Sequence, residues 1–143
     1  MPTPHLEIVH RQEFSAAHRL HSEALSVEEN REAFGPCEHV HGHNYVLEVA
    51  VRGPLDPRTG MVLDLNQLSK IVTGEIIELV DHRFLNEDVP FLQDVPVFTA
   101  ENLAIAFWNR IAEHEDGWGE ARLHRVRVME SEANFVDYWG PGN

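Results

Sequence analysis

A single cysteine, Cys37, stands in this chain of 143 residues. An internal disulfide is excluded, and with it a small fold stapled by disulfides. No apolar run approaches the roughly 20 residues that a helix needs to cross a bilayer. The opening residues, Met1-Pro2-Thr3-Pro4-His5, lack the basic flank and apolar stretch of a secretory signal. A cytoplasmic protein is the expectation. Basic residues are scarce: 11 Lys and Arg face 24 Asp and Glu, for a formal net charge of −13. That balance argues against a nucleic-acid partner, because phosphate contacts need clustered Lys and Arg. It also disfavours non-specific binding to anionic membranes. An anionic substrate would need a locally positive pocket, which a metal ion would help to supply. The apolar share, 43%, is that of a globular protein, and the length suits one domain over residues 1–143.

Against this background one stretch is dense in chemistry. Cys37-Glu38-His39-Val40-His41-Gly42-His43 packs a thiol, a carboxylate and three imidazoles into seven positions. A lone cysteine among histidines is a candidate nucleophile, base or metal ligand. A buried inert thiol is the bland alternative, and the adjoining Glu38, His39 and Gly35-Pro36 turn weaken it.

The pattern around the cluster places it on a sheet. Leu6 to His18 reads as a strand, with Leu6, Ile8, Phe14, Ala16 and His18 on one face and a bulge or bend expected at polar Gln12. Ser26 to Phe34 reads as a short helix in a long acidic loop that runs into the cluster. His41 to Arg52 is a second strand, with His41, His43, Tyr45, Leu47, Val49 and Val51 sharing a face. A helix begins at Asp64, with Gln67 completing a capping-box pattern, and ends near Asp81-His82. Residues 83–98 read as irregular. Thr99 caps a second helix, with Glu101 in its first turn. Leu123 to Glu130 and Phe135 to Trp139 are two further strands. The order is strand, strand, helix, helix, strand, strand, which predicts an α+β domain: a four-stranded antiparallel sheet with two helices on one face.

If the first two strands are neighbours, His18 meets His41 and His43. Three neutral imidazoles on a rigid sheet suit Zn²⁺ and leave a coordination position open, as catalytic zinc sites do. Cys37 as a fourth ligand would instead close the site, making a zinc-stabilised binding module without chemistry. Spacing leaves both readings standing. Asp81-His82 reads either as a helix-terminal histidine favoured by the dipole or as an imidazole oriented by a carboxylate, able to exchange a proton with Cys37 or a substrate. Glu130 ends an apolar strand face, where a carboxylate needs a partner.

Five motifs, in order, resemble one family: Phe14 through Leu20, Cys37 through Tyr45, Asp81-His82-Arg83-Phe84-Leu85-Asn86, Thr99 through Leu103 and Val128-Met129-Glu130. They are similar to the 6-pyruvoyl-tetrahydropterin and 6-carboxytetrahydropterin synthases. The resemblance implies the tunnelling fold, ββααββ, assembled as homohexamers of two stacked trimers with active sites between subunits. It implies zinc on His18, His41 and His43, a catalytic thiol at Cys37, and a proton relay through Asp81 and His82. Glu130 would anchor the pterin substrate, and Thr99 and Glu101 would add contacts, although Phe98 departs from the small residue or proline expected before that threonine. The spacing Cys-x-x-x-His-Gly-His resembles the 6-carboxytetrahydropterin synthases of queuosine precursor synthesis, because the biopterin-type enzymes carry two more residues in that gap. This makes loss of triphosphate and acetaldehyde from 7,8-dihydroneopterin triphosphate the expected reaction, with 6-pyruvoyl formation as the alternative. Glu38 gives Glu-x-x-His-Gly-His, which resembles members that cleave dihydroneopterin to 6-hydroxymethyldihydropterin for folate. Its bland reading is a solvated loop carboxylate.

Overall fold

The computed structural model describes residues 2–143. Two long strands form its centre. β1 (His5–His18) and β2 (His41–Pro54) pair antiparallel along their whole length, from His5 opposite Pro54 to His18 opposite His41. The register runs unbroken through Gln12, opposite Leu47, so the expected bulge there does not form. Gln12 is satisfied in place: its Oε1 accepts from Thr73 Oγ1 at 3.1 Å and pairs with His10 Nε2 at 3.0 Å. The irregularity lies instead between β2 and β4 (Arg122–Met129), where Ala50 opposes Arg125 but Val51 opposes Leu123, leaving His124 as the extra residue.

The sheet has five strands in the order β3-β1-β2-β4-β5, not four. β3 is only Arg83–Phe84 and lies parallel to β1 at Ala16 and Ala17; β5 is Phe135–Tyr138 and pairs antiparallel with β4. The sheet is therefore mixed. A two-residue strand has no periodicity to read, and it follows from how the preceding turn docks on β1.

The connection into β2 holds α1 (Val27–Phe34), whose N-cap Ser26 forms a full capping box with Glu29. Asn30 is 1% exposed, and its amide binds Ser22, Leu25 and Ser26, which sews the loop together. Gly35 ends the helix at φ +52, a left-handed backbone that glycine adopts without a Cβ penalty. A 3-10 turn, Gly35–Glu38, then carries Cys37. Asp64 caps α2 (Leu65–Val72) through the Asn66 N–H, without a reciprocal bond from Gln67. The helix continues through a π-helical segment, Thr73–Ile77, into α3 (Glu78–Val80). There the carbonyl of Glu75 accepts from Arg110 Nε at 3.0 Å, and its carboxylate meets Arg110 Nη2 at 2.6 Å. The stretch read as irregular also holds α4 (Leu85–Asp88).

α5 (Ala100–Ala112) begins at Thr99, whose hydroxyl accepts from the Asn102 N–H. Leu68, Val72 and Ile76 from α2 and its extension, with Leu103, Phe107 and Ile111 from α5, bury against Phe14, Leu47, Val49, Val126 and Val128 of the sheet. This core fixes the face on which the histidines stand. No helix among the described residues is long and apolar enough to cross a membrane.

Candidate functional site

The register of β1 and β2 builds the site. His18 lies directly opposite His41, and His43 is one pleat further along β2, opposite Ala16. Residues opposite one another in a ladder share a face, so the three imidazoles converge. Their ring centroids are 4.5, 5.1 and 5.0 Å apart. One ligand atom from each lies within 4.8 Å of the others. Tyr45, stacked on Phe14 at 4.8 Å, forms an aromatic floor beside them.

The histidines are held as metal ligands require. The Nδ1–H of His18 donates to the carbonyl of Phe98 at 2.8 Å, and that of His41 to the carbonyl of His39 at 2.7 Å. Each bond fixes a tautomer with Nε2 as the open lone pair. The Nε2 atoms of His18 and His43 are buried with no protein partner. Such orphaned acceptors are costly unless something binds them. Burial lowers the pKa of His18 to about 4, against the pull of the Phe98 carbonyl, so its imidazole is neutral near pH 7. Burial lowers His43 as well, with Glu130 opposing. Converging imidazoles, two of them with buried, unpaired Nε2 atoms, fit a divalent metal such as zinc. Phe98 contributes through its carbonyl, which any residue type could offer, so its departure in side chain leaves this contact intact.

Cys37 is exposed, and its sulfur is outside the converging ligand set. The 3-10 turn beneath it is fastened to the residues that follow His18: the Leu20 N–H donates to the Cys37 carbonyl at 2.9 Å, and Arg19 Nε to the Glu38 carbonyl at 3.0 Å. Arg19 is in turn held through its backbone by Asn86, in both directions at 3.0 Å. Thus Arg19 and Asn86, whose motifs were visible but whose roles were not, join the thiol turn, the end of β1 at His18 and the segment after α3. Glu38 is half-buried, and its Oε2 is enclosed without a partner, which does not suit a solvated loop carboxylate.

Asp81 and His82 form a pair at 3.0 Å between Oδ1 and Nδ1. The Ser15 N–H donates to Asp81 Oδ1 at 2.9 Å, and this bond, with His82, holds the carboxyl below its usual range against a small desolvation. His82 adopts φ +61, and its N–H donates to the Ser15 carbonyl at 2.6 Å. Its imidazole stands 82% exposed, on a groove of about 640 Å³ that it shares with His43. Glu130 is half-buried at the end of β4 and lines one recess with His43 and another, of about 440 Å³, with Glu101. Thr99 spends its oxygen on the helix cap, and its O–H is left to donate.

Comparison with known proteins gives a consistent result. Residues 7–141 match the family model described as 6-pyruvoyl tetrahydropterin synthase. The 6-pyruvoyl tetrahydrobiopterin synthase of Drosophila melanogaster is 42% identical over 136 residues, covering 94% of this chain and 79% of that protein. That of Poecilia reticulata is 45% identical over 131 residues, covering 90% and 86%. The solved 6-pyruvoyl tetrahydropterin synthase of Caenorhabditis elegans superposes with a TM-score of 0.89 at 40% identity, covering 98% of this chain and 99% of that one. At lower similarity, a putative 6-carboxy-5,6,7,8-tetrahydropterin synthase of Archaeoglobus fulgidus is 34% identical over 71% of this chain and 76% of its own length. A dihydroneopterin monophosphate aldolase of Pyrococcus furiosus is 36% identical over 86% of this chain and 88% of its own. With the matched model spanning nearly the whole sequence and the histidine site at its centre, the chain belongs to the 6-pyruvoyl tetrahydropterin synthase family.

Proposed function

We propose that this protein is a zinc-dependent 6-pyruvoyl-tetrahydropterin synthase acting on 7,8-dihydroneopterin triphosphate as a homohexamer. This corrects the expectation drawn from the Cys37–His41 spacing. That three-residue gap favours the 6-carboxy reaction, but 6-pyruvoyl synthases match nine tenths of the chain at 42–45% identity, while the 6-carboxy relative matches less of it at 34%. A loop length is one local feature; the similarity extends over nine tenths of the chain.

The convergence of three imidazoles, two of them with buried, unpaired Nε2 atoms, carries the reading. When bound by His18, His41 and His43, zinc supplies Lewis acidity toward the hydroxyls of the substrate side chain. Cys37, as thiolate, takes a proton from the carbon bearing such a hydroxyl. Asp81 fixes the orientation of His82, which exchanges the matching proton from its exposed nitrogen. Glu130 accepts from the 2-amino and N3 positions of the pterin in a two-point contact, and Thr99 and Glu101 add contacts at the adjoining recess. Triphosphate leaves, and hydrogen moves from side chain to ring, so no outside reductant is consumed.

The test combines zinc analysis with product analysis. Wild type and Cys37→Ala receive dihydroneopterin triphosphate. The expected outcome is retained zinc in Cys37→Ala with turnover reduced by about a hundredfold or more. Zinc lost together with the thiol would point to a closed Cys-His₃ structural site. Acetaldehyde among the wild-type products would restore the 6-carboxy reaction.

The enclosed, unpartnered Oε2 of Glu38 supports a second activity: cleavage of dihydroneopterin to 6-hydroxymethyldihydropterin with Glu38 as acid or base. Glu38→Ala removes that product, if the reading holds, while 6-pyruvoyl formation continues.

A further inference from the structure

A chain with a net charge of −13 repels a triphosphate, so a local donor cluster must receive it. Most of the cations are already committed. Arg11, Arg52, Arg110 and the pair Arg125 and Arg127 are tied to carboxylates. Arg19 and Arg122 donate to backbone carbonyls. Arg83 differs: among the described residues its guanidinium has no ion pair and no hydrogen bond, and it borders the groove of about 640 Å³ beside His43. A further unspent donor group shares that groove. The Asn44 side-chain oxygen accepts from Ser15 Oγ at 2.6 Å, which leaves its amide N–H groups unused. The one carboxylate on the groove, Asp88, accepts the Phe84 N–H at 3.1 Å.

We infer that Arg83, with Asn44 beside it, forms the subsite that receives the polyphosphate chain, either as the tail of the substrate or as the released triphosphate. The inference rests on the triphosphate substrate proposed above. Arg83 lies on β3, which pairs with β1 at Ala16 and Ala17, and it borders the same groove as His43. A planar guanidinium offers paired N–H donors to phosphate oxygens.

The test titrates inorganic tripolyphosphate into the zinc-loaded wild type, Arg83→Gln, Arg83→Lys and the control Arg58→Gln by calorimetry. Zinc content is read before and after, because polyphosphates chelate it. Loss of a charge-assisted contact predicts binding about tenfold to a hundredfold weaker in Arg83→Gln, partial recovery in Arg83→Lys and no change in Arg58→Gln. The KM for dihydroneopterin triphosphate rises by a similar factor, with kcat nearly unchanged, whereas the KM for unphosphorylated dihydroneopterin does not move. Equal tripolyphosphate binding by wild type and Arg83→Gln overturns the subsite. Failure of the wild type to turn over the triphosphate while still binding tripolyphosphate through Arg83 overturns the proposed activity instead.

Discussion

His18 is 1% exposed, yet it carries a nitrogen with no protein partner. A buried polar atom left this way opposes folding by about 1–3 kcal/mol, so what binds it contributes directly to stability. His41→Ala removes one of the three proposed ligands; zinc content should fall to background, and the melting temperature should lose its sensitivity to added chelator. His82 presents the opposite case. Its φ of +61 lies in the left-handed region, which asparagine tolerates at least as well. His82→Asn should therefore keep the melting temperature within the equivalent of about 0.5 kcal/mol while turnover falls by about a hundredfold or more. A large loss of stability would show that His82 serves the turn rather than the chemistry. Both histidines were legible as candidates, since spacing and a neighbouring carboxylate single them out. The carbonyls of Phe98 and His39 were not, because a backbone acceptor leaves no mark on residue type.

Elements act through how they dock. The loop from His18 to His41 holds its shape through Asn30, whose amide satisfies three carbonyls and one N–H. Asn30→Ala leaves the Ser22 N–H and the Leu25 carbonyl without this partner, while the Ser22 and Ser26 carbonyls keep backbone donors, and should cost about 1–2 kcal/mol. It should also speed alkylation of Cys37 by iodoacetamide, as the 3-10 turn loosens. On the outer sheet face a charge ladder runs from Arg11 through Glu48 to Arg125, Arg127 and Asp137. The Arg127 guanidinium, bonded at 2.6 and 2.9 Å, holds the Asp137 carboxyl below its usual range against the opposing effect of burial. A carboxyl lowered by folding stabilises the protein above its unfolded pKa, near 3.9. That stability is lost as the pH falls through the lower folded value. Asp137→Asn should thus destabilise at pH 7 by about 1–3 kcal/mol, with the gap to wild type closing in thermal melts toward pH 3. A gap that stays constant down to that pH would show that the loss is one of shape, not of charge. The ladder alternates along strands whose periodicity was plain, but its partners are set by cross-strand register, which no single strand encodes.

For the whole molecule, β3 covers only Ala16 and Ala17, so most of the outer edge of β1 has no strand beside it, and β5 ends the sheet on the other side. Open edges invite a second chain, and the homohexamer proposed above predicts a mass six times the 16.3 kDa chain in light scattering; a monomeric mass for active enzyme would refute it. The α+β order, the two long strands, the capped helices and the three histidines that converge could be read from the chain, because period two, period 3.6 and capping are local rules. The fifth strand, the π-helical segment and the tether of the Cys37 turn to Arg19 and Asn86 could not, since each depends on a partner far along the sequence. The same division bears on the cysteine. Beside three histidines, Cys37 was either a fourth ligand or a base, and spacing allowed both. Its turn is anchored so that the thiol lies exposed and apart from the converging nitrogens. Residue identity thus determined which groups are available, and only docking across the sheet decided which of them meet.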